Sequence, residues 1–247
     1  MPSYGDFAYV YDQLMQEDVP YSQWVDYIEN LFGHYGLHPH LVADLACGTG
    51  NMTLPLAKRG YEMIGVDRSA DMLSIAREKA QKQNLDILFL NQDITKLDLY
   101  GTVDAFLCMI DGINYIVSPY WLEYLFRRIK TCFLEPGGIF IFDLSTEYKL
   151  RETLGNHTFV YDSEDLYYTW QNHYLEKSRL QDMSLTFFQR EGSPYRRFEE
   201  RQLQRAYRPG EIVRLLQKCG FARVDVFEEL SFEKPTENSS RTVFAAR

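Results

Sequence analysis

The stretch VADLACGTGN, residues 42–51, sets glycines at 48 and 50 directly behind an apolar run. Glycine there lets the backbone adopt turns closed to larger residues and approach a ligand closely. The next apolar run ends in Asp67, 23 residues after Asp44. A carboxylate at a strand tip is placed to accept hydrogen bonds from ribose hydroxyls, so the pair points to a nucleoside-bearing ligand. A second group lies in DGINY, residues 111–115. Open α/β sheets gather reacting groups at such strand ends, which makes Asp111, Asn114 and Tyr115 candidates on the substrate side. Ordinary loop hydrogen bonding accounts for the same residues. His173, within YYTWQNHYL, is a candidate base because imidazole changes charge near neutral pH. Simple exposure on a strand is the competing reading.

These residues need elements to hold them. From residue 41 onward short apolar runs alternate with stretches of helical period, as when parallel strands are joined by crossover helices. Strands are expected at 41–46, 61–67, 86–93, 103–110 and 138–144, with helices at 52–60, 69–84 and 119–133. Ser69 is a suitable N-cap and Pro119 a suitable first residue. Between 151 and 208 the alternation gives way to successive β segments, read as an antiparallel insertion. A helix over 208–221 and two closing strands follow, and Trp24, Val25, Ile28, Leu31 and Phe32 mark at least one helix before the sheet.

Composition bounds the function. With 247 residues, 45% hydrophobic and 25% charged, the chain can bury a sizeable core. The net charge of −9 lies wholly in residues 1–150, which carry 11 Lys/Arg against 20 Asp/Glu. That argues against tight nonspecific nucleic-acid binding, while leaving a local RNA contact open. Cys47, Cys108, Cys132 and Cys219 form no paired-ligand spacing, and Pro39 interrupts His34, His38 and His40, so neither a metal site nor a disulfide framework is expected. No run reaches the roughly 18 apolar residues of a membrane span, and the first 24 residues lack a signal-peptide pattern. The expectation is a cytoplasmic chain without a membrane partner.

Taken in order, DLACGTG (44–50), GVDRSADML (65–73), QDI (92–94), LCMIDGINYI (107–116) and GGIFIFD (137–143) resemble the motifs of class I S-adenosylmethionine-dependent methyltransferases. The likeness spans nearly the whole chain. It narrows to members with a β insertion after the fifth strand and a segment similar to FAYVYDQLM (7–15), which include proteins similar to small-molecule N-methyltransferases. The resemblance implies an α/β fold: a Rossmann-like, mostly parallel seven-stranded sheet flanked by helices, with an inserted antiparallel β subdomain. The domain would comprise residues 1–150 and 209–247, with 1–40 as a helical cap. Residues 151–208, with 11 aromatics and no net charge, read either as a lid that selects a small molecule or as a sheet whose aromatics form its own core.

S-adenosyl-L-methionine is the implied cofactor. By the same resemblance Gly48 and the backbone near Ala46 line its methionine part, Gly50 belongs to the cofactor site, and Asp67 takes the ribose. Asp93 and Ile94 meet the adenine, with Met72 on its face. Met109 and Asn114 lie beside it, and Tyr11 and Trp24 close over it. Asp44 and the aromatic faces would suit a sulfonium cation. Ala46 stands where the family pattern most often has glycine.

The implied reaction is in-line methyl transfer to nitrogen or oxygen of a small molecule, with Asp111, Tyr115 and His173 as the catalytic candidates. Two alternatives remain open from the residues alone. One is a cofactor-binding or RNA-associated module without catalysis. The other is a nicotinamide-dependent dehydrogenase, which Gly48, Gly50 and Asp67 partly fit, although Thr53 stands where that fingerprint has its third glycine.

Overall fold

Strands covered on both faces are apolar on both faces, and the interior of this protein is built from such runs. The computed structural model describes residues 4–192 and 194–247. Residues 1–3 of the expected cap and Ser193 of the expected insertion lie outside the described residues. In chain order the helices are α1 (Tyr4–Asp18), α2 (Tyr21–His34), α3 (Thr53–Lys58), α4 (Ala70–Lys82), α5 (Pro119–Arg128) and α6 (Pro209–Lys218). The strands are β1 (Leu41–Leu45), β2 (Glu62–Asp67), β3 (Leu88–Asn91), β4 (Val103–Cys108), β5 (Leu134–Ser145), β6 (Thr158–Asp162), β7 (Leu166–Leu175), β8 (Leu180–Arg190), β9 (Tyr195–Arg205), β10 (Val224–Glu228) and β11 (Arg241–Ala246).

Seven strands form the main sheet in the order β10-β11-β5-β4-β1-β2-β3. β1 to β5 pair in parallel, and β11 runs antiparallel between β5 and β10. Period-two alternation divides the core. Phe106, Phe140, Phe142 and Phe244 face α5 and α6. Leu107, Ile139, Ile141 and Val243 face the buried side of α2, where Trp24, Ile28 and Leu31 repeat at helical spacing.

The expected helix over 119–133 is α-helical only to Arg128 and widens into a π turn over Ile129–Phe133. The fifth strand starts four residues before the expected Gly138, because Leu134 pairs with Val103 ahead of a register shift. At the shift, a Cβ on Gly138 would lie 2.6 Å from the carbonyl oxygen of Asp104.

β6 to β9 make a separate four-stranded antiparallel meander. Its inner face carries Tyr168, Phe187 and Phe198, which pack on Phe7 and Val10 of α1. The first helix thus lies between the second sheet and the main domain. No described helix is long and apolar enough to cross a membrane.

Candidate active site

The main sheet reverses its order between β1 and β4, and ligands of open α/β sheets bind outside the strand ends at such a switch point. Two loops meet there. The loop after β1 holds Ala46, Gly48 and Gly50 at φ +55°, +55° and +79°. A Cβ on Gly48 would meet no atom within 4 Å, whereas one on Gly50 would lie 2.5 Å from Leu54 Cδ1 and 3.3 Å from Ala76 Cβ. Gly48 therefore leaves an open cradle, and Gly50 permits close packing of the turn on α4. Asp67 fixes the turn: its carboxylate accepts from the Gly48 amide at 2.9 Å and from the Ser69 amide at 2.8 Å.

These elements enclose a cleft of about 370 Å³ lined by Tyr11, Asp44, Ala46, Gly48, Asn51 and Met109, among others. Asp44 is buried and accepts from the Thr53 hydroxyl at 2.6 Å. Burial pushes its carboxyl up to about 7, against the pull of that hydrogen bond. Asn51 accepts from Lys79 Nζ through its side-chain oxygen, and its buried Nδ2 has no partner among the described residues. Asp12 of α1 roofs the turn, accepting from the Thr49 hydroxyl and, at 2.9 Å, from Lys79.

The loop after β4 is strained. Ile110 and Asp111 both adopt left-handed backbone, φ +58° and +68°, which costs residues bearing a Cβ on the order of 1 kcal/mol or more each. Asp143 at the end of β5 holds both amides, accepting from Ile110 and, at 3.1 Å, from Asp111. Arg241, the first residue of β11, closes the arrangement. It donates to Asp111 at 2.6 Å and to Asp143, pairs with Glu229 at 3.2 Å, and lies over the Trp24 ring. Asp111 also accepts from the Ser145 hydroxyl at 2.7 Å. Burial alone would raise the Asp111 carboxyl, but Arg241 and Lys149 together hold it below the usual carboxylate range. Burial dominates at Asp143 and raises it.

Beyond this loop lies a larger chamber of about 860 Å³ between α1 and the inner face of β7 to β9. Tyr11 and Ile110 line both spaces. Tyr115 lies on the chamber wall and donates to Gln202 at 2.8 Å.

The structure thus brings Tyr11, Asp44, Ala46, Gly48 and Met109 to the cleft and Asp111 and Tyr115 to the chamber. Other candidates hold positions outside both linings. Trp24 is 1% exposed, within the α2 core. Ile94 is buried in the main core, and Asp93 caps the short turn Ile94–Lys96 through the Thr95 amide. Met72 packs beside Tyr11 and Leu14 against the α1 cluster. Asn114 is fully buried and spends its side chain on backbone: it bonds the Ser145 carbonyl and amide and the Arg205 carbonyl at 2.9 to 3.0 Å. It ties β5 to β9 and is not free to meet a ligand. His173 is exposed, hydrogen-bonded to Asn156, and points to the face of β7 opposite Tyr168 and Trp170, so it does not reach the chamber.

Residues 42–138 match the family described as "Methyltransferase domain". The chain is 35% identical over 247 residues to a Bacillus subtilis (strain 168) protein named "Putative methyltransferase YqeM", covering 99% of this chain and 96% of that one. The chain belongs to the class I S-adenosylmethionine-dependent methyltransferases. A solved S-adenosylmethionine-dependent methyltransferase from Clostridium acetobutylicum ATCC 824 superposes with a TM-score of 0.90 at 34% identity, over 99% of this chain and 98% of the other. The sugar N-methyltransferase KedS8 from Streptoalloteichus sp ATCC 53650 shares the fold at 16% identity, TM-score 0.78, over 96% and 91% of the two chains. The nicotinamide alternative and the noncatalytic module give way to this kinship. The open cradle at Gly48 and the unpartnered Asn51 amide of this methyltransferase fit its cofactor, S-adenosylmethionine.

Replacing Arg241 by Met leaves the carboxylates of Asp111 and Asp143 buried without their cation. Uncompensated buried charge costs about 3 to 5 kcal/mol, so the variant is expected to lose about that much stability at pH 8. Its buried carboxyls then have folded-state values raised above the unfolded ones, a penalty that fades as pH falls toward 5 and they take up protons. Urea unfolding at both pH values checks this; an equal deficit at both contradicts the ionic role.

Proposed function

We propose that the enzyme methylates nitrogen or oxygen of a small molecule seated in the chamber, with the sheet β6 to β9 serving as its lid. The observation that carries this reading is the shared wall: Tyr11 and Ile110 border the cofactor cleft on one side and the chamber on the other. A group in the chamber and the methionine end of a cofactor in the cleft would face each other there. The bound sulfonium supplies a methyl group already activated for in-line displacement. What remains for the protein is to hold the nucleophile at about 3 to 3.5 Å and in line.

Gly48, Asp44, Asn51, Met109 and Tyr11 would hold the methionine end. Asp67, which secures the Gly48 amide, keeps unused lone pairs for ribose hydroxyls. Neither the Asp111 carboxylate nor the Tyr11 and Tyr115 phenols of the chamber is a ready base near neutral pH. Asp111 is ionised and committed to Arg241 and Ser145, and burial raises the Tyr11 and Tyr115 phenols. The acceptor is therefore expected to arrive with its lone pair free. Likeness to a sugar N-methyltransferase supports a small-molecule acceptor.

With methyl-labelled S-adenosylmethionine and a mixed panel of small amines, small acids, tRNA and rRNA, label is expected only in the small-molecule fraction. Label confined to RNA would refute the reading. A second expectation concerns Asp44. An α-ammonium beside it favours the ionised carboxylate, so binding below pH 7 must first expel a proton. The Kd of S-adenosylhomocysteine should be up to about tenfold weaker at pH 6 than at pH 8, and Asp44→Asn should flatten the profile. An unchanged profile in the variant would exclude Asp44 from that contact.

A further inference from the structure

We infer that the chamber receives a largely apolar organic acid, with its carboxylate taken by the Lys149 ammonium and the Trp170 indole N–H. The inference rests on the reading of the chamber as the acceptor's seat, and names the class of acceptor.

Most of the wall is carbon. Phe7 and Leu14 of α1, Leu154, and Met183, Leu185 and Phe187 of β8 surround the space. Burying a ligand's apolar body against such a surface is favourable at about 25 cal/mol per Å². A polyol would strip its hydroxyls of water there without replacing their hydrogen bonds.

The polar atoms on the wall are unevenly distributed between donors and acceptors. The Trp170 Nε1–H is buried with no acceptor among the described residues, and an indole can only donate. Lys149 opens the turn Lys149–Leu154 and lines the chamber; among the described residues no carboxylate lies within ion-pair distance of it. Its three ammonium protons are donors as well. Gln202 accepts from Tyr115 through its side-chain oxygen, which leaves its amide nitrogen as a further donor.

The part-buried carboxylate of the lining is already engaged. The Asp111 carboxylate is held by Arg241 and the Ser145 hydroxyl. Asp18, the other carboxylate of the lining, is exposed at the end of α1. A cationic ligand would therefore meet Lys149 with no free buried anion to offset it, since Asp18 lies exposed. A carboxylate has only lone pairs to offer and so complements the donors on this wall.

The test uses one body with three head groups. The protein saturated with S-adenosylhomocysteine is titrated calorimetrically with 4-phenylbutyrate, 4-phenylbutyramide and 4-phenylbutylamine. The acid is expected to bind at least about tenfold more tightly than the amide, the scale of one charge-assisted hydrogen bond, and the amine most weakly. Lys149→Met and Lys149→Gln should each abolish the advantage of acid over amide, and Trp170→Phe should weaken the acid severalfold. Equal or tighter binding of the amide or amine overturns the inference, as does binding of none of the three while S-adenosylhomocysteine binds. Failure of S-adenosylhomocysteine itself would overturn the underlying reading of the two cavities, and this inference with it.

Discussion

A single guanidinium holds the centre of this enzyme. Two successive residues with side chains, Ile110 and Asp111, sit in left-handed backbone, a conformation that persists only where its surroundings over-determine it. Asp143 supplies the acceptors for both amides, and Arg241 neutralises Asp143 and Asp111 together. The clamp joins the end of β4 to the end of β5 and the start of β11, strands paired side by side in the sheet. It fixes Ile110 as the partition between the cleft and the chamber. Trp24, beneath the guanidinium, backs it with an aromatic face.

The second constraint is the first helix. α1 reaches both halves of the molecule: Asp12 bonds Thr49 and Lys79 over the glycine turn, and Phe7 and Val10 pack on the inner face of the second sheet. Tyr11, between these contacts, lines both cavities. The first helix is thus a roof attached to both walls. The Asn114 tie of β5 to β9 supplies a second link between the sheets, remote from α1 in the chain.

Much of this was legible in the sequence where local rules apply. Apolar runs marked the five parallel strands, Ser69 capped α4 as expected, and the glycine turn and Asp44 stand at the switch point. What escaped depends on register. Nothing local pairs Asp111 with Arg241, 130 residues away; a lone Arg opening an apolar strand, and an Asp inside the apolar run GIFIFDL, were the available signals. Asn114 was placed correctly in the loop, but a polar side chain that bonds backbone reads the same in sequence as one that bonds a ligand. For His173 the strand parity was already present, since it stands an odd number of residues from Tyr168 and Trp170 and so belongs to the other face. Lys149 and Trp170 carried no sequence pattern, because their meaning comes from the chamber they share.

The central claim is that the clamped Ile110–Asp111 turn is the boundary across which the methyl group passes. A crystal structure of the S-adenosylhomocysteine complex tests it most directly. The account predicts the thioether sulfur in van der Waals contact with Ile110 or Tyr11 and facing the chamber, with both turn residues still left-handed. A sulfur directed elsewhere, or a turn relaxed to right-handed backbone on binding, would contradict it.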